Sequence, residues 1–209
     1  MNVFEEVNRY NVAENLTTAL TPPSSWYTSE AFAELEIRSV FSRNWIAVGR
    51  ADQVSEHGQY FTFEVFGEPI VVVMSDQLRA FYNVCRHHAS VIMTGEGEAP
   101  VIRCPYHGWT YNLDGSLRST PQFDGAKNFS SDNHGLKTLR VDVASGFVFV
   151  CLSEYGPTLA EYLGKLSFEL DACGMPNLKF YRRVTYEMDC NWKVFVDNYL
   201  DGGYHVPIL

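Results

Sequence analysis

The sequence lacks any unbroken apolar run of the roughly 18 residues that a membrane-crossing helix needs. It opens on MNVFEEVNRY, acidic early and without the apolar core of a secretion signal. Both absences point to a cytoplasmic protein with no membrane span. Basic residues are scarce as well: 16 Lys plus Arg stand against 25 Asp plus Glu, and no stripe of them could neutralise phosphates. That argues against nucleic acid as a partner. Cysteines number only 5 in a chain without a secretory signal, which argues against a disulfide framework. No internal repeat or low-complexity tract is found. What remains is the composition of an ordinary folded protein, with 46% hydrophobic residues over 209 positions, enough to bury a substantial core.

Along the chain the apolar pattern changes twice. After the Pro22-Pro23 break, Thr28 or Ser29 offers a cap, and Phe32, Leu35, Ile37, Val40 and Phe41 recur at helical spacing, predicting one helix that ends before Trp45 within an N-terminal segment 1–44. Short β-type runs follow over 45–153: IAVGR, QYFTFEVFG, PIVVVMS, LRAFYNV, TLRVDVAS and FVFVCLS, separated by turns such as SDQ and NLDGS. This spacing predicts a compact antiparallel β domain. In 154–209 the run LAEYLGKLSFEL reads as a helix broken at Gly174 and Pro176, KFYRRVTYEMDC alternates like a long strand, and Trp192 to about Leu200 reads as a helix opening a second domain.

The chemistry is concentrated in two short stretches, Cys85-Arg86-His87 and Cys104-Pro105-Tyr106-His107-Gly108-Trp109. Each is a Cys/His pair at a turn leaving a strand, so two loops present two thiolates and two imidazoles to one point, a four-ligand metal site. A lone Cys or His is most often a packed or hydrogen-bonded core residue, but four at this spacing are not. Structural zinc generally takes more widely spaced pairs. Mixing Cys and His within each loop suits a Rieske 2Fe-2S cluster, in which two Cys hold one iron and two His the other. A zinc module used for protein interaction stays open as a non-redox reading.

CRHH and CPYHGW resemble the cluster loops of the Rieske non-haem iron oxygenases, the aromatic ring-hydroxylating dioxygenase family of α subunits. The resemblance makes His87, not His88, the ligand of the first loop. Cytochrome-complex Rieske proteins carry an extra cysteine in each loop, where this chain has Ser90 and Tyr106, and a serine that donates to sulfur, where it has Trp109. Fewer donors imply a potential toward the low end of the range of about −150 to +300 mV. Arg86 is an ordinary solvated cation or helps to place an electron donor.

NWKVFVDNYLDGGYHVPIL resembles the start of the same family's catalytic domain. The resemblance implies an α+β fold, an antiparallel β Rieske domain followed by the start of a helix-grip-type catalytic domain. It also implies that His205 is the first ligand of a mononuclear Fe(II) held by two His and a carboxylate, with the second His expected at position 210, beyond Leu209. The chain is therefore expected to be part of a longer protein. Asp201 is the candidate electron relay, although many members place that carboxylate three residues before the His, where this chain has Gly202; Asp197 reads as helix surface. PPSSWYT, FYNVCRHHAS, YNLDGSL and DNYLDGGYHVP are similar to the choline monooxygenase branch. The resemblance implies O2-dependent hydroxylation of a small molecule, choline or a related quaternary amine, with electrons from NAD(P)H through a separate reductase or ferredoxin. A trimer-type homo-oligomer is implied too. A stand-alone Rieske ferredoxin and an aromatic-ring hydroxylating oxygenase are the alternatives. Cys151, Cys173 and Cys190 are expected to pack, and His57 and His134 to lie solvated in turns.

Overall fold

The central strands are decided by which faces they must bury. In the computed structural model, which describes residues 2–11, 15, 17–203 and 206–207, ten strands form: β1 Ile46–Arg50, β2 Gln59–Val65, β3 Glu68–Met74, β4 Leu78–Tyr82, β5 Glu96–Glu98, β6 Ile102–Arg103, β7 Thr110–Tyr111, β8 Leu117–Ser119, β9 Thr138–Ala144 and β10 Phe147–Cys151. A seven-stranded sheet runs β1-β10-β9-β4-β3-β2-β5, and a three-stranded one runs β6-β7-β8. Every strand pair is antiparallel.

The apolar run of β3 is continuous because both of its faces are covered. Val71 and Val73 join Phe81, Cys85, Cys104, Trp109 and Tyr111 in one core, while Ile70 and Val72 join Val48, Val65, Ala80 and Val148 in another. The first core seats the small sheet and both Cys/His loops on one face of the large sheet. At about 1.5–3 kcal/mol per fully buried aliphatic side chain, this seat is a major part of the loops' support. The turn at Gly115 lies against it: φ is +87°, and a Cβ there would collide with the Phe81 ring.

Six α-helices are present among the described residues: α1 Val3–Arg9, α2 Ser25–Thr28, α3 Glu30–Ser39, α4 Leu159–Leu163, α5 Lys165–Ala172 and α6 Trp192–Leu200. None is long and apolar enough to cross a membrane. The helix expected after Thr28 or Ser29 is α3, whose N-cap Ser29, extended at φ −91° and ψ 125°, splits it from α2; α1 is a further helix of the N-terminal segment that the spacing did not mark. LAEYLGKLSFEL likewise splits at Gly164, which takes φ 50° and ψ −122°. KFYRRVTYEMDC forms no strand. Alternation alone does not make one, since a strand's backbone groups need a neighbouring ladder, and no other strand pairs with this segment.

Two compact units result, 41–181 and 1–40 with 182–209. The first runs well past the edge expected at 153. Leu159 packs with Trp45, Phe149 and Cys151, the Arg50 guanidinium donates to the carbonyls of Met175 and Leu178, and the Phe180 N–H donates to Asp52 at 2.8 Å. In the second unit Glu36 accepts from Lys193 Nζ at 2.6 Å and from Trp192 Nε1 at 2.8 Å, linking α3 to α6.

Candidate metal centre

The two loops are built to one plan. In the first, the Cys85 N–H donates to the Ser90 carbonyl at 2.9 Å and the Ala89 N–H to the Cys85 carbonyl at 3.0 Å. In the second, the Cys104 N–H donates to the Trp109 carbonyl at 2.8 Å and the Gly108 N–H to the Cys104 carbonyl at 3.1 Å. The fourth residue after each cysteine turns the chain in the left-handed region, Ala89 at φ 58° and Gly108 at φ 75°. Asn83 clamps the base of the first loop. It is buried, its Nδ2 donates to the Met93 carbonyl at 2.7 Å, and its Oδ1 accepts the Met93 N–H at 2.9 Å.

This frame buries the thiols and leaves the imidazoles toward the surface. Cys85 and Cys104 are buried, His87 is half-buried and His107 is exposed, with the two imidazole centroids 4.9 Å apart. The structure thus seats Cys85 and Cys104 in one core and sets His87 beside His107. A depression of about 760 Å³ opens over His87 and His107. The His87 Nδ1 is buried and has no hydrogen-bond partner. A nitrogen in that position is costly when bare and satisfied when it binds a metal. Burial, then the neighbouring His88 and His107, hold His87 below its ordinary 6.5, favouring the neutral imidazole that ligates. A donor set of two buried sulfurs and two outer imidazoles, one of each per loop, fits a 2Fe-2S cluster with two Cys on one iron and two His on the other.

His88 stands three residues after its cysteine, where the second loop has His107, and its donor atom lies with those of His87 and His107 within 4.8 Å of one another. Its ring is exposed, whereas His87 carries the orphaned nitrogen. Tyr111 was not legible as a site residue. It is fully buried, and its hydroxyl accepts the Arg86 N–H at 3.0 Å and lies 3.4 Å from Cys85 Sγ. Burial first, then the contact with Cys85, raises its pKa above the ordinary 10, so the hydroxyl keeps its proton. Were Cys85 to bind metal as a thiolate, with no proton to give, that O–H would donate to sulfur. The only signal in the sequence is general: a buried tyrosine needs a partner for its hydroxyl.

The remaining expectations divide. Cys151 is buried, but Cys173 and Cys190 are exposed and do not pack. His57 is exposed, with Nδ1 3.1 Å from the Ser75 carbonyl. His134 is half-buried rather than solvated, with Nδ1 2.7 Å from the Ser130 carbonyl and its ring 4.5 Å from that of Phe129. Asp201 ends α6, where Oδ1 accepts the Gly203 N–H at 2.7 Å, and Asp197 accepts the Tyr27 hydroxyl at 2.9 Å. His205 lies outside the described residues.

Comparison with known proteins meets this geometry. Residues 44–130, which contain both loops, match the family described as Rieske [2Fe-2S] domain, and residues 175–209 match the ring hydroxylating alpha subunit (catalytic domain). The chain is thus similar to Rieske oxygenase α subunits, from their Rieske domain into the start of their catalytic domain. Choline monooxygenase, chloroplastic, of Arabidopsis thaliana is 44% identical over 220 residues, which are 99% of this chain and 52% of the relative. The carnitine monooxygenase oxygenase subunit of Acinetobacter pittii is 38% identical, over 90% of this chain and 52% of the relative. The apo quaternary ammonium Rieske monooxygenase CntA superposes with a TM-score of 0.86 at 38% identity, covering 90% of this chain and 57% of that one. The chain spans about half the length of the curated relatives it matches.

Proposed function

We propose that Cys85, His87, Cys104 and His107 hold a 2Fe-2S cluster in an oxygenase that hydroxylates a quaternary amine of the choline or carnitine type. The observation that carries this reading is the pair of matching loops, each with a buried cysteine at its base, together with the His87 Nδ1 that has no hydrogen-bond partner. The bound cluster supplies one-electron transfer, and a mononuclear non-haem iron supplies O2 activation. The two cysteines bind as thiolates on the buried side, the two histidines face the surface, and Tyr111 donates to the Cys85 sulfur. His205 is the first protein ligand of the mononuclear iron in this reading, with a second histidine and a carboxylate from beyond residue 209. Asp201, at the end of α6, is the carboxylate between the two centres.

Monooxygenation puts one oxygen atom of O2 into a C–H bond and the other into water, consuming two electrons and two protons. The chain therefore works with an electron donor, a reductase or ferredoxin fed by NAD(P)H; a homo-oligomer of the trimer type accords with the inter-subunit electron transfer described for the quaternary ammonium Rieske monooxygenase. The quaternary amine rests on the relatives' names and on the general chemistry by which aromatic faces attract a quaternary ammonium. A stand-alone carrier is the weaker reading, because residues 175–209 match a catalytic domain that a carrier does not use.

Two measurements on the full-length protein test the proposal. His107→Ala abolishes the Rieske electron paramagnetic signal and His205→Ala leaves it intact; loss in both variants removes the division into two sites, and a colourless, zinc-containing protein removes the redox reading. With reductase present, O2 uptake rises on adding choline or carnitine. Uptake that answers only to an aromatic hydrocarbon moves the chain to the ring-hydroxylating branch.

A further inference from the structure

Trp109 is tied to both loops at once. Its carbonyl accepts the Cys104 N–H and closes the second loop. Its indole lies against His87 of the first, with ring centroids 4.7 Å apart and planes within 2° of parallel. The indole itself is held on further sides. Phe123 meets it edge-on at 5.4 Å and 77°, Phe129 at 5.8 Å and 69°, and the His134 ring at 6.4 Å and 72°. Only 2% of Trp109 is exposed. Edge-on neighbours stop an indole from tilting, and a parallel stack passes that constraint to the ring it covers.

An imidazole binds a metal along a lone pair in its own plane, so the plane of the ring sets how well the nitrogen is aimed. Nothing hydrogen-bonds to the His87 Nδ1, so no polar contact at that atom orients the ring. The ordinary device for aiming a ligand histidine, a hydrogen bond to its second nitrogen, is not made to His87 by any of the described residues. His88 at 3.8 Å and 47°, His107 at 4.9 Å and 67° and Phe123 at 5.9 Å and 78° also neighbour the ring, but of these four the indole is the one that lies parallel to it.

We propose that Trp109 is a positioning residue for the cluster: its indole sets the plane of His87 and keeps water from one face of that imidazole, and thereby tunes the reduction potential. The inference rests on the Rieske reading above. Water near a ligand stabilises the reduced, more negative cluster, so removing the shield raises the potential. Phe at this position retains a flat ring for His87 to lie on. Leu retains apolar volume and loses the plane.

The test uses the full-length protein with its cluster, comparing wild type, Trp109→Phe and Trp109→Leu by redox titration and by the electron paramagnetic spectrum of the reduced form. The expected result is a Phe variant close to wild type and a Leu variant with a raised potential, a broadened spectrum and faster bleaching by a chelator. A role confined to packing would lower the unfolding temperature while leaving the potential of loaded protein in place. The inference is overturned by a Leu variant with native potential and line shape, by a Phe variant shifted as far as Leu, or by failure of the Phe variant to hold a cluster. Absence of the Rieske signal from wild type is a different result, which removes the cluster reading itself.

Discussion

At the scale of single residues, Tyr111 alters the expectation about potential. Trp109 stands where a serine donor would be, which by itself argues for few hydrogen bonds to sulfur. The Tyr111 hydroxyl, 3.4 Å from Cys85 Sγ, restores one. A donor to sulfur stabilises the more negative reduced state, so Tyr111→Phe lowers the reduction potential by about 60 mV, a tenfold change in a one-electron equilibrium. A redox titration followed by visible absorbance reads the shift, and an unchanged midpoint removes the hydrogen bond from the account. The ligand pattern was legible because each Cys/His pair is local in the chain. Tyr111 was not, because it lies 26 residues from Cys85 and its role exists only where β7 brings it under the first loop.

At the scale of elements, the hairpin between β3 and β4 shows how a turn holds its charge. Ser75 Oγ donates to Asp76 Oδ1 at 2.6 Å, and Arg79 adds a bond to the same carboxylate at 2.9 Å. Ser75 first and Arg79 second hold the Asp76 pKa down, from 3.8 to about 2. A carboxylate depressed in the folded state contributes stability that is complete above its unfolded value, 3.8, and is lost as pH falls toward 2. A carboxyl NMR titration is expected to place the Asp76 midpoint near 2 and to return it toward 3.8 in Ser75→Ala; an unmoved midpoint in the variant would make Arg79 the main cause. The six long strands were legible because alternation or a buried apolar run marks each of them. The small sheet was not, because strands of two and three residues are too short to show a period. In the other direction, KFYRRVTYEMDC shows the period and lacks the neighbour that would make it a strand.

At the scale of the whole molecule, the two sheets differ in what holds them. The large one is knit by long ladders, with six paired positions between β2 and β3 and five between β3 and β4. The small one has two between β6 and β7 and two between β7 and β8, and bears the second Cys/His loop. Iron bridging the loops would add cross-links where the backbone supplies few. Stripping the cluster with a chelator is therefore expected to raise hydrogen exchange in 102–119 and in the Phe123 to Phe129 segment, while β3, β4 and β10 keep their protection. Uniform loss across both sheets would show that the cluster supports the entire unit. The pairing of β4 with β9, Ala80 with Leu139 and Phe81 with Thr138, has one last consequence. Residues 82–137, which carry every proposed cluster ligand, leave and rejoin the large sheet at two adjacent stems, pair β5 with β2, and pack on Val71, Val73 and Phe81. The metal-binding part is thus a cassette. Its length is free to drift in descent, or to be exchanged between relatives at the bench, without re-registering the ladders that join β1, β10, β9, β4, β3 and β2, provided the face that meets Val71, Val73 and Phe81 is kept.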